Sequence, residues 1–146
     1  MTSPRSVRFE SSTLAKLTSY AARHPGMTSS SAAALLVEEG LRMDSHPGIV
    51  FREGPAGRRA GLVAGPDVWE VIRAVRQARA TEPALSAEDV VGLVADGAAL
   101  TPTAVQVAVS YYAAFPDEVD AMIDDADAAE VEAEVEWRRA RDLLGT

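Results

Sequence analysis

The sequence contains no cysteine. That excludes disulfides, thiolate zinc sites and a cysteine nucleophile, and it fits a reducing compartment, so a cytoplasmic location is expected. Only two histidines occur, His24 and His46, which excludes most imidazole metal sites. Each stands before a Pro-Gly pair and reads as a loop residue. Lysine occurs once, at Lys16. Aromatic residues number eight (three Phe, two Trp, three Tyr), so the core is expected to rest on Ala, Val and Leu. No apolar run approaches the roughly 18–20 residues that span a bilayer, and Met1 to Arg5 lead into no apolar secretory core. No membrane association is expected. Gly54-x-x-Gly57 lacks the Lys-Ser or Lys-Thr of a phosphate-binding loop and reads as a turn.

Apolar residues nevertheless make up 47% of the 146, enough for a real core. The net charge of −8 is unevenly divided. Residues 1–80 carry 11 basic and 7 acidic groups, a balance of +4; residues 81–146 carry 3 basic and 15 acidic, a balance of −12. No Lys or Arg lies between Ala80 and Trp137. Such a split suits an anionic partner for the first half and a cationic one for the second. A solvated acidic helix that keeps the chain soluble explains the second half equally well.

Ser6 to Glu10 alternate polar and apolar, the pattern of a short strand with Val7 and Phe9 on one face and Ser6 and Arg8 on the other. Ser11 and Ser12 are cap candidates for a helix carrying Leu14, Leu17 and Ala21, which stops at His24-Pro25-Gly26. Thr28 caps a second helix through Ala32, Leu35 and Leu36, closing at Gly40 to Met43. One strand and two helices bury little surface and leave a strand edge unpaired. A second copy of the chain supplies the remedy, a two-stranded antiparallel ribbon flanked by four helices. Residues 5–43 resemble the ribbon-helix-helix repressors of bacteria through Val7-Arg8-Phe9, Leu14, Leu17, Ala21, Gly26-x-Thr28-x-Ser30, Leu36 and Gly40-Leu41. Glu10 stands where that family often has proline.

After His46-Pro47-Gly48, two apolar stretches, Ile49 to Phe51 and Gly61 to Val63, flank a Gly-Pro turn and predict a hairpin. Three helices follow. One starts at Gly65-Pro66-Asp67 and carries Val68, Val71, Ile72 and Val75; one is capped by Ser86 and stops near Gly97; one is capped by Thr101 and runs from about 102 to 114. Their lengths suit a helix-turn-helix-like module. Residues 46–116 resemble an antitoxin module of proteins that neutralise PIN-like ribonucleases. The carrying stretches are His46 to Val50, Arg59 to Val63 and Thr101 to Ala108, with Gly57-Arg58-Arg59 in place of the usual Gly-Thr-Arg turn. A last helix starts at Pro116 and runs unbroken towards Leu144. The combination is similar to VapB-type antitoxins.

The sequence therefore predicts a mainly α-helical chain in three parts: a ribbon-helix-helix arm (1–45), a hairpin and helix-turn-helix-like module (46–116) and an acidic C-terminal helix (117–146). Ser6 and Arg8 are expected to meet a DNA major groove, which admits a two-stranded ribbon. The helix start at Thr28, Ser29 and Ser30 is expected to meet phosphate through backbone N–H groups. Trp137 on a charged helix is expected to anchor a protein partner. The resemblance implies that Arg138, Arg139 or Arg141 reaches the carboxylates of a nuclease toxin. Arg58, Arg59, Arg73, Arg76 and Arg79 form either a second basic surface or internal pairs with the acidic helix. Asp117, Glu118, Asp120 and Asp124 follow one another on one helix without a converging element, so no catalytic site, metal or cofactor is expected. The expected partners are a PIN-type ribonuclease toxin, operator DNA and a second copy of the chain. The rival reading is a stand-alone repressor whose acidic tail only solubilises it.

Overall fold

The structure, a computed structural model, describes residues 2–145. These residues form six helices and one two-stranded antiparallel sheet. The chain divides after Ser45 into two compact units.

The first unit holds helices α1 (Ser11–Ala22) and α2 (Ser29–Ser45). Residues 2–10 precede them without helix or strand, so the strand expected at Ser6–Glu10 does not form within one chain. A strand needs a hydrogen-bonded neighbour, and this segment has none beside it. The expected Ser11 or Ser12 cap is also corrected: Glu10, with extended φ/ψ of −58° and 149°, stands at the cap position, and both serines lie inside the helix. Leu14 N–H donates to the Glu10 carbonyl at 2.9 Å. The turn after α1 uses Gly26 at φ +81°. Thr28 then caps α2 reciprocally: Ser31 N–H donates to Thr28 Oγ1 at 3.1 Å, and Thr28 N–H donates to Ser31 Oγ at 2.9 Å. This box satisfies two helix-start donors at once. α2 continues past Gly40–Met43 to Ser45. Only Ala21, Ala32 and Glu39 are buried among the described residues of this unit.

The second unit opens with β1 (Ile49–Gly54) and β2 (Gly57–Leu62), paired from Ile49 opposite Leu62 to Gly54 opposite Gly57. The strands are longer than expected and meet at a two-residue turn, Pro55-Ala56, with Gly57 at φ +103° where a side chain would be strained. α3 (Val68–Thr81), α4 (Ala87–Gly97), α5 (Pro102–Ala114) and α6 (Pro116–Leu144) follow. Ser86 and Thr101 cap α4 and α5 by accepting from Asp89 N–H and Ala104 N–H, both at 3.1 Å.

Val68, Val71, Val105, Ala108 and Val119 make the centre of the core, as the Val and Ala content suggests. Two features depart from that expectation. Leu62 is the only buried leucine among the described residues, and the largest fully buried side chain is Tyr111. Tyr111 donates its hydroxyl to Glu118 Oε2 at 2.8 Å and packs on Phe115 at 4.8 Å between ring centroids. His46, expected as a loop residue, sets its ring edge against Tyr111 at 5.5 Å. The first turns of α6 belong to this core through Val119 and Ile123, whereas every described residue from Asp127 onward is exposed.

Candidate functional site

Three surfaces hold the residues singled out by sequence. On the first unit, Ser3, Arg5, Val7 and Phe9 line a groove of about 650 Å³ with Leu14 and Val37. Ser6 and Arg8 are exposed and lie outside that lining, so the alternation read from the sequence persists without a strand. Ser29 and Ser30 border the same groove. The Thr28–Ser31 box occupies the N–H groups of those two residues, while the N–H groups of Ser29 and Ser30 have no acceptor among the described residues. The helix start is thus able to accept an anion. Val7, Leu14, Val37 and Leu41 are 64%, 48%, 57% and 60% exposed.

The second surface was expected to be either basic or internally neutralised. It is neutralised. Arg73 donates to Glu130 Oε1 at 2.8 Å and lies 3.1 Å from Asp127, pinning the middle of α6 to α3. Arg76 reaches Asp120 and the Tyr112 hydroxyl, and Arg79 donates to the Leu85 carbonyl at 2.8 Å. Arg58 pairs with Glu53 at 3.4 Å. Arg59 faces Arg52 directly across the hairpin, a like-charge pair that would repel. Asp67 resolves it by pairing with Arg59 and, at 3.4 Å, with Arg52. Asp67 also starts α3: its N–H donates to Glu70 Oε2 at 2.8 Å. The sequence places Asp67 at the start of this helix but gives no sign of its pairing with Arg52 and Arg59 across the hairpin.

The hydrogen bond from Arg73 holds the Glu130 carboxyl below its ordinary range and, with Glu130 as partner, raises Arg73. A carboxyl depressed on folding stabilises above its unfolded pKa, and that contribution disappears as pH falls through the folded value. Acidification below the usual carboxylate range, or Arg73→Ala at neutral pH, is therefore expected to lower the amide protection factors around residues 125–131 and leave β1 and β2 protected. Equal exchange in parent and variant would show that the pair does not hold α6.

The carboxylates weighed as a metal site diverge: Glu118 turns to Tyr111 and Asp120 to Arg76. The helices α4 and α5, two of the three expected to form a helix-turn-helix-like module, have Glu88, Asp89 and Asp96 along an open groove and no Lys or Arg. Most affinity for duplex DNA comes from Lys and Arg neutralising its phosphates, and these two helices carry neither.

The third surface is the distal half of α6. Trp137 is 56% exposed, and the Arg141 guanidinium lies 4.7 Å from its ring centroid. Arg138 pairs with Glu134 one turn back. Arg139 makes no ion pair with another described residue. The four residues named for toxin contact therefore share one solvated helix end. Among the described residues, no single helix is long and apolar enough to cross a membrane. Compared with protein-family models, with curated proteins and with solved structures, the chain matches none.

Proposed function

We propose that this chain is an antitoxin that binds operator DNA as a homodimer through its first unit and blocks a PIN-type ribonuclease through the distal half of α6. It acts by occlusion and performs no chemistry. The observation that carries the reading is the exposed apolar face of the first unit: Val7, Phe9, Leu14 and Val37 line a groove that one chain leaves open, and Leu41 is exposed on the same unit. An apolar face of that size on so small a unit calls for a partner. A second copy covers it, and pairing of the two 6–10 segments completes a ribbon with both Arg8 side chains on its outer face. Ser6 and Arg8 then read bases, while Thr28, Ser29 and Ser30 meet phosphate. The exposed Trp137, between a run of carboxylates and three arginines, supports the toxin contact in the same way.

The test has two arms. Arg8→Ala is expected to weaken operator affinity by tenfold or more, in line with the roughly 1–3 kcal/mol of a bidentate Arg–guanine contact. Unchanged binding would remove Arg8 from the interface. Tagged chain purified from its native host is expected to carry a stoichiometric small ribonuclease. Its absence would favour the stand-alone repressor, the reading to which the in-helix partners of Arg138 and Arg141 lend support.

A further inference from the structure

Two apolar features of the second unit lie end to end. One is an open groove of about 670 Å³, walled by Pro55 and Ala56 of the hairpin turn, Trp69 on α3, and Met122, Ala126 and Ala129 on α6. The other is the exposed surface of α6 beyond it. At about 100° per residue, Ala133, Trp137, Ala140 and Leu144 continue the line of Met122, Ala126 and Ala129 within an arc of about 80°. No ionisable side chain of α6 falls in that arc. The opposite margin is taken: Asp120, Asp127 and Glu130 are held by Arg76 and Arg73 of α3. The near margin carries Asp125, Glu132 and Glu136, all exposed, and no basic residue lies between Ala80 and Trp137.

We infer that this seam receives one amphipathic helix of the partner protein, with its apolar face on Trp69, Met122 and Trp137 and Lys or Arg side chains along the Asp125–Glu136 margin. The inference rests on the toxin-binding reading for its distal end and adds the Trp69 groove as the other. Charge complementarity selects a basic flank: the three exposed carboxylates of that margin outnumber its one arginine, Arg139, and the groove's Arg58 and Arg59 are held by Glu53 and Asp67. Length is consistent. From Met122 to Leu144 the seam runs about 33 Å at 1.5 Å per residue, the span of a helix of about 20 residues. The two indole rings, Trp69 in the groove and Trp137 about two thirds of the way along the seam, are the side chains best suited to act as anchors.

Trp69 and Trp137 are the only tryptophans, one in the groove and one on the distal part of the seam, so each serves as a reporter. The full chain as Trp137→Phe and as Trp69→Phe would be titrated with a synthetic 20-residue helical peptide bearing a Leu/Ala face and a Lys flank. Controls are a scrambled peptide and one with Glu in place of Lys. The expected result is a blue shift of both reporters with the Lys peptide alone. Ala129→Arg, at an exposed helical position that tolerates the substitution, is expected to weaken binding at least tenfold. A response at Trp137 alone overturns the groove while leaving the distal toxin contact standing. A response at Trp69 alone overturns the continuous seam together with the toxin role of Trp137. Equal binding of the scrambled peptide, no response at either reporter, or indifference to Ala129→Arg each overturns the proposal.

Discussion

Tyr111→Ala is expected to destabilise the second unit by about 3–5 kcal/mol, the usual cost of removing a fully buried aromatic ring. Tyr111 is 0% exposed and joins four parts of this unit: its ring meets His46, Phe51 and Phe115, and its hydroxyl holds Glu118 at the start of α6. Truncation leaves a cavity among β1, α5 and α6 and removes the donor from that carboxylate. Domains of this size are stable by only about 5–15 kcal/mol, so the loss takes much of the total. The thermal midpoint should fall by about 15 °C or more, at roughly 4–8 °C per kcal/mol for a unit near 100 residues. Tyr111→Phe separates the two contributions, because it keeps the ring and should cost only about 1 kcal/mol. A Tyr111→Ala protein that unfolds within a few degrees of the parent would show that the core does not centre on this ring.

Val37→Glu is expected to abolish self-association and to weaken operator binding by at least a hundredfold. In one chain Val37 is 57% exposed, and a polar substitution at such a site normally changes stability by no more than about 0.5 kcal/mol. In the proposed dimer the same position lies under the second copy, and a buried unpaired carboxylate there is strongly disfavoured. The size of the effect therefore distinguishes the two situations. Sedimentation equilibrium of parent and variant measures association, and gel-shift titration measures affinity. A variant that still dimerises with parental strength would sink the proposed use of this face. The parent should also melt at a temperature that rises with concentration, as mass action requires of a unit whose folding is coupled to assembly.

What the sequence disclosed and what it hid divide by range. Thr28, Ser86 and Thr101 were legible as helix starts because each cap bonds within three residues of itself. The helix from Pro116 to Leu144 was legible because nothing within it breaks the pattern. Glu10 displaced the expected serine caps, since the extended backbone before α1 decides where the helix begins and a side-chain rule alone does not fix it. The hairpin was found but drawn too short: Gly54 and Gly57 looked like turn residues, yet they form the last pair of the ladder. The partners of the arginines could not be chosen from spacing. Arg73 and Glu130 are 57 positions apart, and only the packing of α6 on α3 brings them together. Trp69 shows the same difficulty. Its helix has a clear apolar stripe, but the groove beside it exists only once the hairpin turn and α6 arrive from elsewhere in the chain. On the first unit, the alternation of Ser6 and Arg8 with Val7 and Phe9 and the helix start at Ser29 and Ser30 are legible because each is a local pattern.

α6 is one rod of 29 residues with its first turns set in a core and its last turns in water. Such a rod transmits what happens at one end to the other. Fraying that starts at Leu144 meets no contact with another helix until Glu130 and Asp127, held by Arg73, so a protease has some four turns of accessible backbone before it reaches the fold. A ligand that clasps the distal turns removes that entry point and, at a thousand times its dissociation constant, adds about 4 kcal/mol to whatever unfolding must overcome. The lifetime of this chain in a cell should then depend on occupancy of α6, so that the unbound copies are the ones degraded first.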